Sequence, residues 1–268
     1  FPCMVRNLTN LMRSHLNCMQ DYTEWSAIAI RIAVIFGIFG EFMRLGIADN
    51  EKPIDIAVVS GDFSAPISAW YARRWGLPIG NIVCCCNENG NLWNFICHGQ
   101  LRTDGTAKKT HTPDADVVVP NSLERLICTY GGYNEVSRYL ESVRRGVSYY
   151  ADDKMLCALR EGIYATVSSE RRVLSAISGV YATHHYLLSP YGALAYAGLQ
   201  DYRSRTGESN PALILTENSP VCDAEVVATA LSMSKDQIKE IVETMYPTAA
   251  VFAKTVAPMY LSTLPKHS

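Results

Sequence analysis

The chain has 268 residues, of which 48% are hydrophobic, 10% aromatic and 19% charged, with a formal net charge of -2. That balance excludes a disordered or low-complexity chain, and the near-neutral charge argues against nucleic acid as a partner. The length allows one large core or two modest ones.

The first landmark is Pro2 to Leu16, with apolar positions at Met4, Val5, Leu8, Leu11 and Met12. That is helical spacing on one face. Trp25 to Leu45 predicts a second, more deeply buried helix. Ala27 to Ile47 is membrane-like, but it contains Arg31 and Glu41. Its longest uncharged run is Ile32 to Gly40, short of the roughly twenty residues that span a bilayer. No membrane partner is expected. Ile54 to Val59 predicts a strand that ends abruptly at Ser60-Gly61-Asp62. A helix over Ala65 to Trp75, a strand over Asn81 to Cys86 and a helix over Asn91 to Gly99 follow. This alternation predicts an α/β fold, a parallel sheet flanked by helices. Leu101 to Asp116 is loop-like, and Asp116 to Val119 is a strand candidate. Further helices are expected over Ser122 to Thr129, Tyr133 to Arg145, Asp152 to Glu161 and Ser168 to Ala182. Tyr186 to Leu188 reads as extended, and Pro190 opens a helix to Arg205. Ala212 to Leu215 is a strand. Asp223 to Ser232 and Lys235 to Met245 close the chain as helices.

Nine cysteines include the consecutive Cys84, Cys85 and Cys86. Neighbouring strand residues point to opposite faces, so these three cannot meet one another. There is no CxxC pair and no zinc spacing. The expectation is inert buried thiols in a reducing cytoplasm. The aromatic residues Trp70, Tyr71 and Trp75 are expected in the core.

Several segments carry a family resemblance jointly. They are VVSGDFSAPISAWYARRWGLPIGNIVCCCNENGNLWNFICHG, PNSLERLI, YLLSPYGALAYAGLQDYRSRTG and ALILTENSPV, in that order. Over about Trp25 to Val227 the chain resembles threonine synthase, a pyridoxal-phosphate (PLP) enzyme of fold type II. The resemblance implies the large C-terminal domain of that fold, with residues 1–50 as a helical segment packed on an α/β core formed by residues 51–268. It implies PLP as cofactor. Gly61, Asp62, Phe63 and Ser64 then correspond to the loop that cradles the cofactor phosphate. Thr216 matches the hydroxyl that bonds the ring nitrogen. The physical reading of this turn is compatible, since backbone N–H groups and a helix N-terminus favour phosphate. The plainer reading of Asp62 is a cap of the following helix.

The departures are chemical. Asp62 stands for the family's Asn, Ser64 for its second Gly and Ala65 for its Asp. Ser189-Pro190-Tyr191-Gly192 replaces Asp-Pro-His-Thr. Asp21, Tyr22, Glu24 and Ala27 replace Asn-Ser-x-Asn-x-x-Arg, so two carboxylates stand where an Arg is missing, with Arg31 one turn along. The Schiff-base lysine of the family lies in a Phe-Lys-Asp motif N-terminal to every matching segment, and no such motif occurs here. No catalytic residue and no metal ligand is therefore assigned. Two functional expectations stay open. One is a threonine-synthase-like lyase portion, inactive as this chain alone, with an amino-acid ligand and a missing N-terminal lobe. The other is a non-catalytic homologue acting as a binding or interaction module. A homodimer through the apolar surface left by that lobe, and a cytoplasmic location, are part of the expectation.

Overall fold

The computed structural model describes residues 22–49, 51–216 and 218–245. Four strands form one parallel sheet: β1 (Ile54–Val59), β2 (Ile79–Cys86), β5 (Ile163–Val167) and β6 (Ala212–Leu215). Their spatial order is β5-β2-β1-β6, and every neighbouring pair is parallel. A two-stranded antiparallel ribbon pairs β3 (Gln100–Leu101) with β4 (Tyr149–Tyr150). The helices are α1 (Tyr22–Arg44), α2 (Ser64–Arg74), α3 (Asn91–His98), α4 (Leu123–Arg145), α5 (Asp153–Arg160), α6 (Glu170–His184), α7 (Pro190–Thr206), α8 (Ala224–Leu231) and α9 (Lys235–Met245).

Both faces of the sheet are covered, which is why its central strands are almost continuously apolar. On one face Ile56, Val58, Ile82, Cys84 and Cys86 pack with α1 to α5. On the other Ala57, Val83 and Cys85 pack with α6, α7 and α8. The cysteines alternate between the faces as strand geometry requires. Burial pushes the Cys85 thiol up to about 12 and the Cys86 thiol up to about 11, so both stay protonated and inert at neutral pH.

Several expectations are corrected. Cys128 and Cys157 are exposed rather than buried, and Cys222 is disulfide-bonded. Cys3 and Cys18, like the helix expected over Pro2 to Leu16, lie outside the described residues. Helix α1 is not deeply buried. It hides the stripe Ile28, Ile32, Ile35 and Phe39 but leaves Ile30 66% and Met43 51% exposed. Its buried stripe recurs every three to four residues and packs on α2, so one face suffices. It is the one described helix long and apolar enough to cross a membrane by length and composition. Trp75 is 58% exposed, whereas Trp70 is buried. Residues 116–119 form no strand. Instead, Asp116 binds the side chains of Asn87, Asn89 and Thr110, and the Val118 carbonyl accepts from Asn91. The segment is held by these side-chain contacts and pairs with no strand. Strand β5 carries no legible signal in the sequence, because five residues between two helices give too little periodicity.

One buried charge has a measurable consequence. Asp55 is 1% exposed, and its Oδ1 accepts the Asn81 N–H at 2.7 Å. Gly80 leaves the room, since a Cβ there would lie 2.4 Å from that oxygen. Burial, opposed by the Asn81 N–H, raises the carboxyl above its ordinary value. The native state then holds a proton that the unfolded chain has already lost. Stability therefore falls as pH rises from the unfolded to the native value. Asp55→Asn keeps an acceptor and should flatten that part of a melting-temperature profile; an unchanged slope would contradict this account.

Candidate functional site

The sheet order creates a switch point. From β1 the chain steps to β2 and β5 on one side, and β6 later returns to the other side of β1. In open parallel sheets ligands sit beyond the carboxyl ends of the strands at such a point. A cavity of about 300 Å³ lies there. The end of β1 supplies Val58, Val59 and Ser60, the following turn Gly61, Asp62 and Ser64, and the end of β6 Leu215 and Thr216. Arg31 of α1, Asp114 and Tyr191 close it from outside the sheet.

The turn after β1 is tight. Gly61 has φ 42 and Phe63 has φ 70. A bulky residue in the left-handed region costs on the order of 1–3 kcal/mol. The Phe63 ring is 1% exposed and packs in the core, and burying a phenyl ring contributes about as much as the strain costs. The turn is then tied internally. The Phe63 N–H donates to the Ser60 carbonyl at 2.8 Å. Oδ1 of Asp62 accepts from the Ser64 N–H at 2.9 Å and from the Ser64 hydroxyl at 2.6 Å. The N-cap position itself is Phe63, which makes no side-chain cap bond, and the Asp62 carboxylate serves the start of α2 from one residue outside it by accepting the first helical N–H.

Four of the five sequence-derived site residues meet at the cavity: Gly61, Asp62, Ser64 and Thr216. Phe63 does not line it, because its side chain anchors the turn from the core side. Asp114 and Tyr191 were not assigned from sequence. The Tyr191 hydroxyl donates to Asp114 Oδ2 at 3.0 Å and accepts from the Asp114 N–H at 3.1 Å. These residues are 77 positions apart, so no local pattern signals the pair. Arg31 does reach the cavity. Asp21, with the side chains of Tyr22 and Glu24, lies outside the described residues. His184 and His185 are exposed at the end of α6.

No protein-family model matches the chain. Curated relatives do. It is 27% identical over 179 residues to threonine synthase-like 1 of Homo sapiens, covering 64% of this chain and 24% of that protein. It is 24% identical over 236 residues to threonine synthase of Schizosaccharomyces pombe, covering 80% of this chain and 45% of that protein. The chain is a partial relative of the threonine synthases. The fold agrees: the yeast threonine synthase structure superposes with a TM-score of 0.70 at 20% identity, over 82% of this chain and 47% of that one. A PLP-bound threonine synthase from Brucella melitensis superposes with a TM-score of 0.68 at 20% identity, over 85% and 49%. The chain therefore spans less than half the length of these proteins. The expected α/β fold of the PLP fold-type-II large domain is the observed one.

Proposed function

We propose that this chain is the large-domain portion of a threonine-synthase-like protein of the PLP-dependent lyase family, and that by itself it is catalytically silent. The observation that carries the reading is the lining of the switch-point cavity, which holds no lysine among the described residues. Lys52, Lys108, Lys109, Lys154, Lys235 and Lys239 are all exposed, and Lys254 and Lys266 lie outside the described residues. PLP chemistry in this fold needs a Schiff-base lysine facing the cofactor. In the family the reaction converts O-phosphohomoserine to threonine and phosphate. In this reading Gly61, Asp62 and Ser64 stand where the cofactor phosphate would be held, and Thr216 stands where the ring nitrogen would be met.

The residues as they stand do not fit that phosphate. The Phe63 and Ser64 amides of the turn already donate within it. The Asp62 carboxylate lines the same cavity and would share it with the anion. Two unit charges about 4 Å apart near a protein surface repel by about 4 kcal/mol. That mismatch favours a second reading, a homologue that keeps the scaffold for binding or interaction. A lobe or a second copy covering the exposed side of α1, an amino-acid ligand and a cytoplasmic location belong to the proposal. The division into a helical segment at 1–50 and an α/β core at 51–268 also belongs to it.

A spectrum tests silence directly. Purified chain mixed with PLP should show no stoichiometric near-visible band that borohydride abolishes and no single reduced lysine adduct in a peptide map. A stoichiometric adduct on one lysine would overturn the proposal.

A further inference from the structure

We infer that Asp62 is a built-in anion that occupies the phosphate cradle of the switch-point cavity, so that the cavity selects against phosphorylated ligands. This rests on the reading of the cavity as the relic of a cofactor site and names the ligand class that it now excludes. A strand-to-helix turn attracts anions because its amides and the helix N-terminus present partial positive charge. Here a carboxylate from the same turn has taken that role. A single oxygen of Asp62 accepts both the Ser64 N–H and the Ser64 hydroxyl, at 2.9 and 2.6 Å. The two donors that an incoming phosphate oxygen would use are therefore spent on an internal anion.

The surroundings hold Asp62 in place. Its backbone carbonyl accepts the Ser122 N–H at 3.0 Å, which ties the turn to the start of α4. Ser64 is itself 7% exposed, and its carbonyl accepts the Ser68 hydroxyl at 2.7 Å. The ring of Phe63 fixes the turn from beneath. Rotating the carboxylate away would strand the Ser64 hydroxyl and amide without an acceptor. A second carboxylate, Asp114, lines the same cavity and is held by Tyr191. A ligand of this cavity must therefore present a group without negative charge to the turn.

The test compares pyridoxine phosphate with pyridoxine, which share a ring but lack the aldehyde that reacts with lysines. Calorimetric titration of the full chain should give the phosphate ester no advantage over the alcohol. Asp62→Asn keeps an oxygen for Ser64 and removes the charge. It should improve ester binding at least tenfold while leaving the alcohol unchanged, and inorganic phosphate should compete only in that variant. The inference fails if the unmodified chain already prefers the ester tenfold. It fails also if Asp62→Asn, shown to be folded by its melting curve, leaves the ester-to-alcohol ratio unchanged or binds neither compound. A reducible lysine adduct would count against the silent-scaffold proposal instead, so the two can fail separately.

Discussion

Replacing Asn87 by alanine is expected to destabilise the chain by about 2 kcal/mol and to loosen the loop that closes the cavity. Asn87 is 1% exposed at the end of β2. Its amide nitrogen lies 2.9 Å from the Thr110 hydroxyl, 3.0 Å from the Thr112 hydroxyl and 2.8 Å from Asp116 Oδ1. It has two hydrogens for three acceptors, so the bonds are shared. Its Oδ1 accepts the Asn89 N–H. Removing the side chain takes one donor from the half-buried Asp116 carboxylate, which keeps Asn89 and Thr110, and one from the buried Thr112 hydroxyl, and it leaves the Asn89 N–H without its acceptor, at roughly 1–3 kcal/mol in all. The loop it holds carries Asp114 to the cavity and Tyr191, so the site should loosen with the fold. Urea unfolding would show a lower midpoint at unchanged slope, and limited proteolysis would cut first within residues 102–112. Asn87→Asp should be worse, because it sets a carboxylate against Asp116. A midpoint shift below a fifth of the unmodified value for both variants would refute this assignment.

The second large effect is at Gly198. A glycine inside a helix costs about 0.5–1 kcal/mol relative to alanine, so its presence in α7 calls for a reason. The reason is the approach of α7 to the sheet. A Cβ at this position would lie 2.4 Å from Cys85 Sγ, 2.6 Å from Thr166 Oγ1 and 2.9 Å from Cys85 Cβ. All of these belong to the packed centre of β2 and β5. Gly198→Ala should therefore destabilise by about 1–3 kcal/mol despite the better helix propensity, and Gly198→Val by more. Cys85→Ala removes the nearest clashing atom. The double variant Gly198→Ala, Cys85→Ala should lose less than the sum of the singles in a double-mutant cycle. Additive losses would show that the contact is not the cause.

Much of the architecture is legible in local pattern. IDIAVV and the NIVCCC core of β2 are short, β-branched or small-residue runs bounded by turn residues, and both are central strands. The helix after Ser189-Pro190 begins as its cap and proline demand, with the Ser189 hydroxyl accepting the Gly192 N–H at 3.1 Å. Asp152 likewise caps α5 through the Met155 N–H. Asp116 to Val119 has valines that mimic a strand, whereas its backbone turns locally, with the Val117 N–H on the Ala115 carbonyl and the Val118 carbonyl on the Asn91 amide. Helix α1 misled because an almost wholly apolar helix reads as buried on every side. Only the packing shows that one stripe is used.

The candidate site divides in the same way. Gly61, Asp62 and Ser64 lie together in sequence, and Thr216 was placed through the resemblance. Asp114 and Tyr191 come together only through folding. Which of two roles Asp62 plays also needed coordinates, because capping a helix and facing a ligand make the same demand on residue type. By itself, the sequence determined the strand-helix alternation, the partial kinship with threonine synthases and the absence of a Phe-Lys-Asp motif. The alternation follows from short-range spacing and composition, and the kinship from the resemblance of several segments in order. The tertiary structure alone decided the strand order that creates the switch point, the αL turn that turns Phe63 into the core, and the commitment of the Asp62 carboxylate to Ser64. Those depend on contacts between residues far apart in the chain or on the direction of a single side chain, which no periodicity encodes.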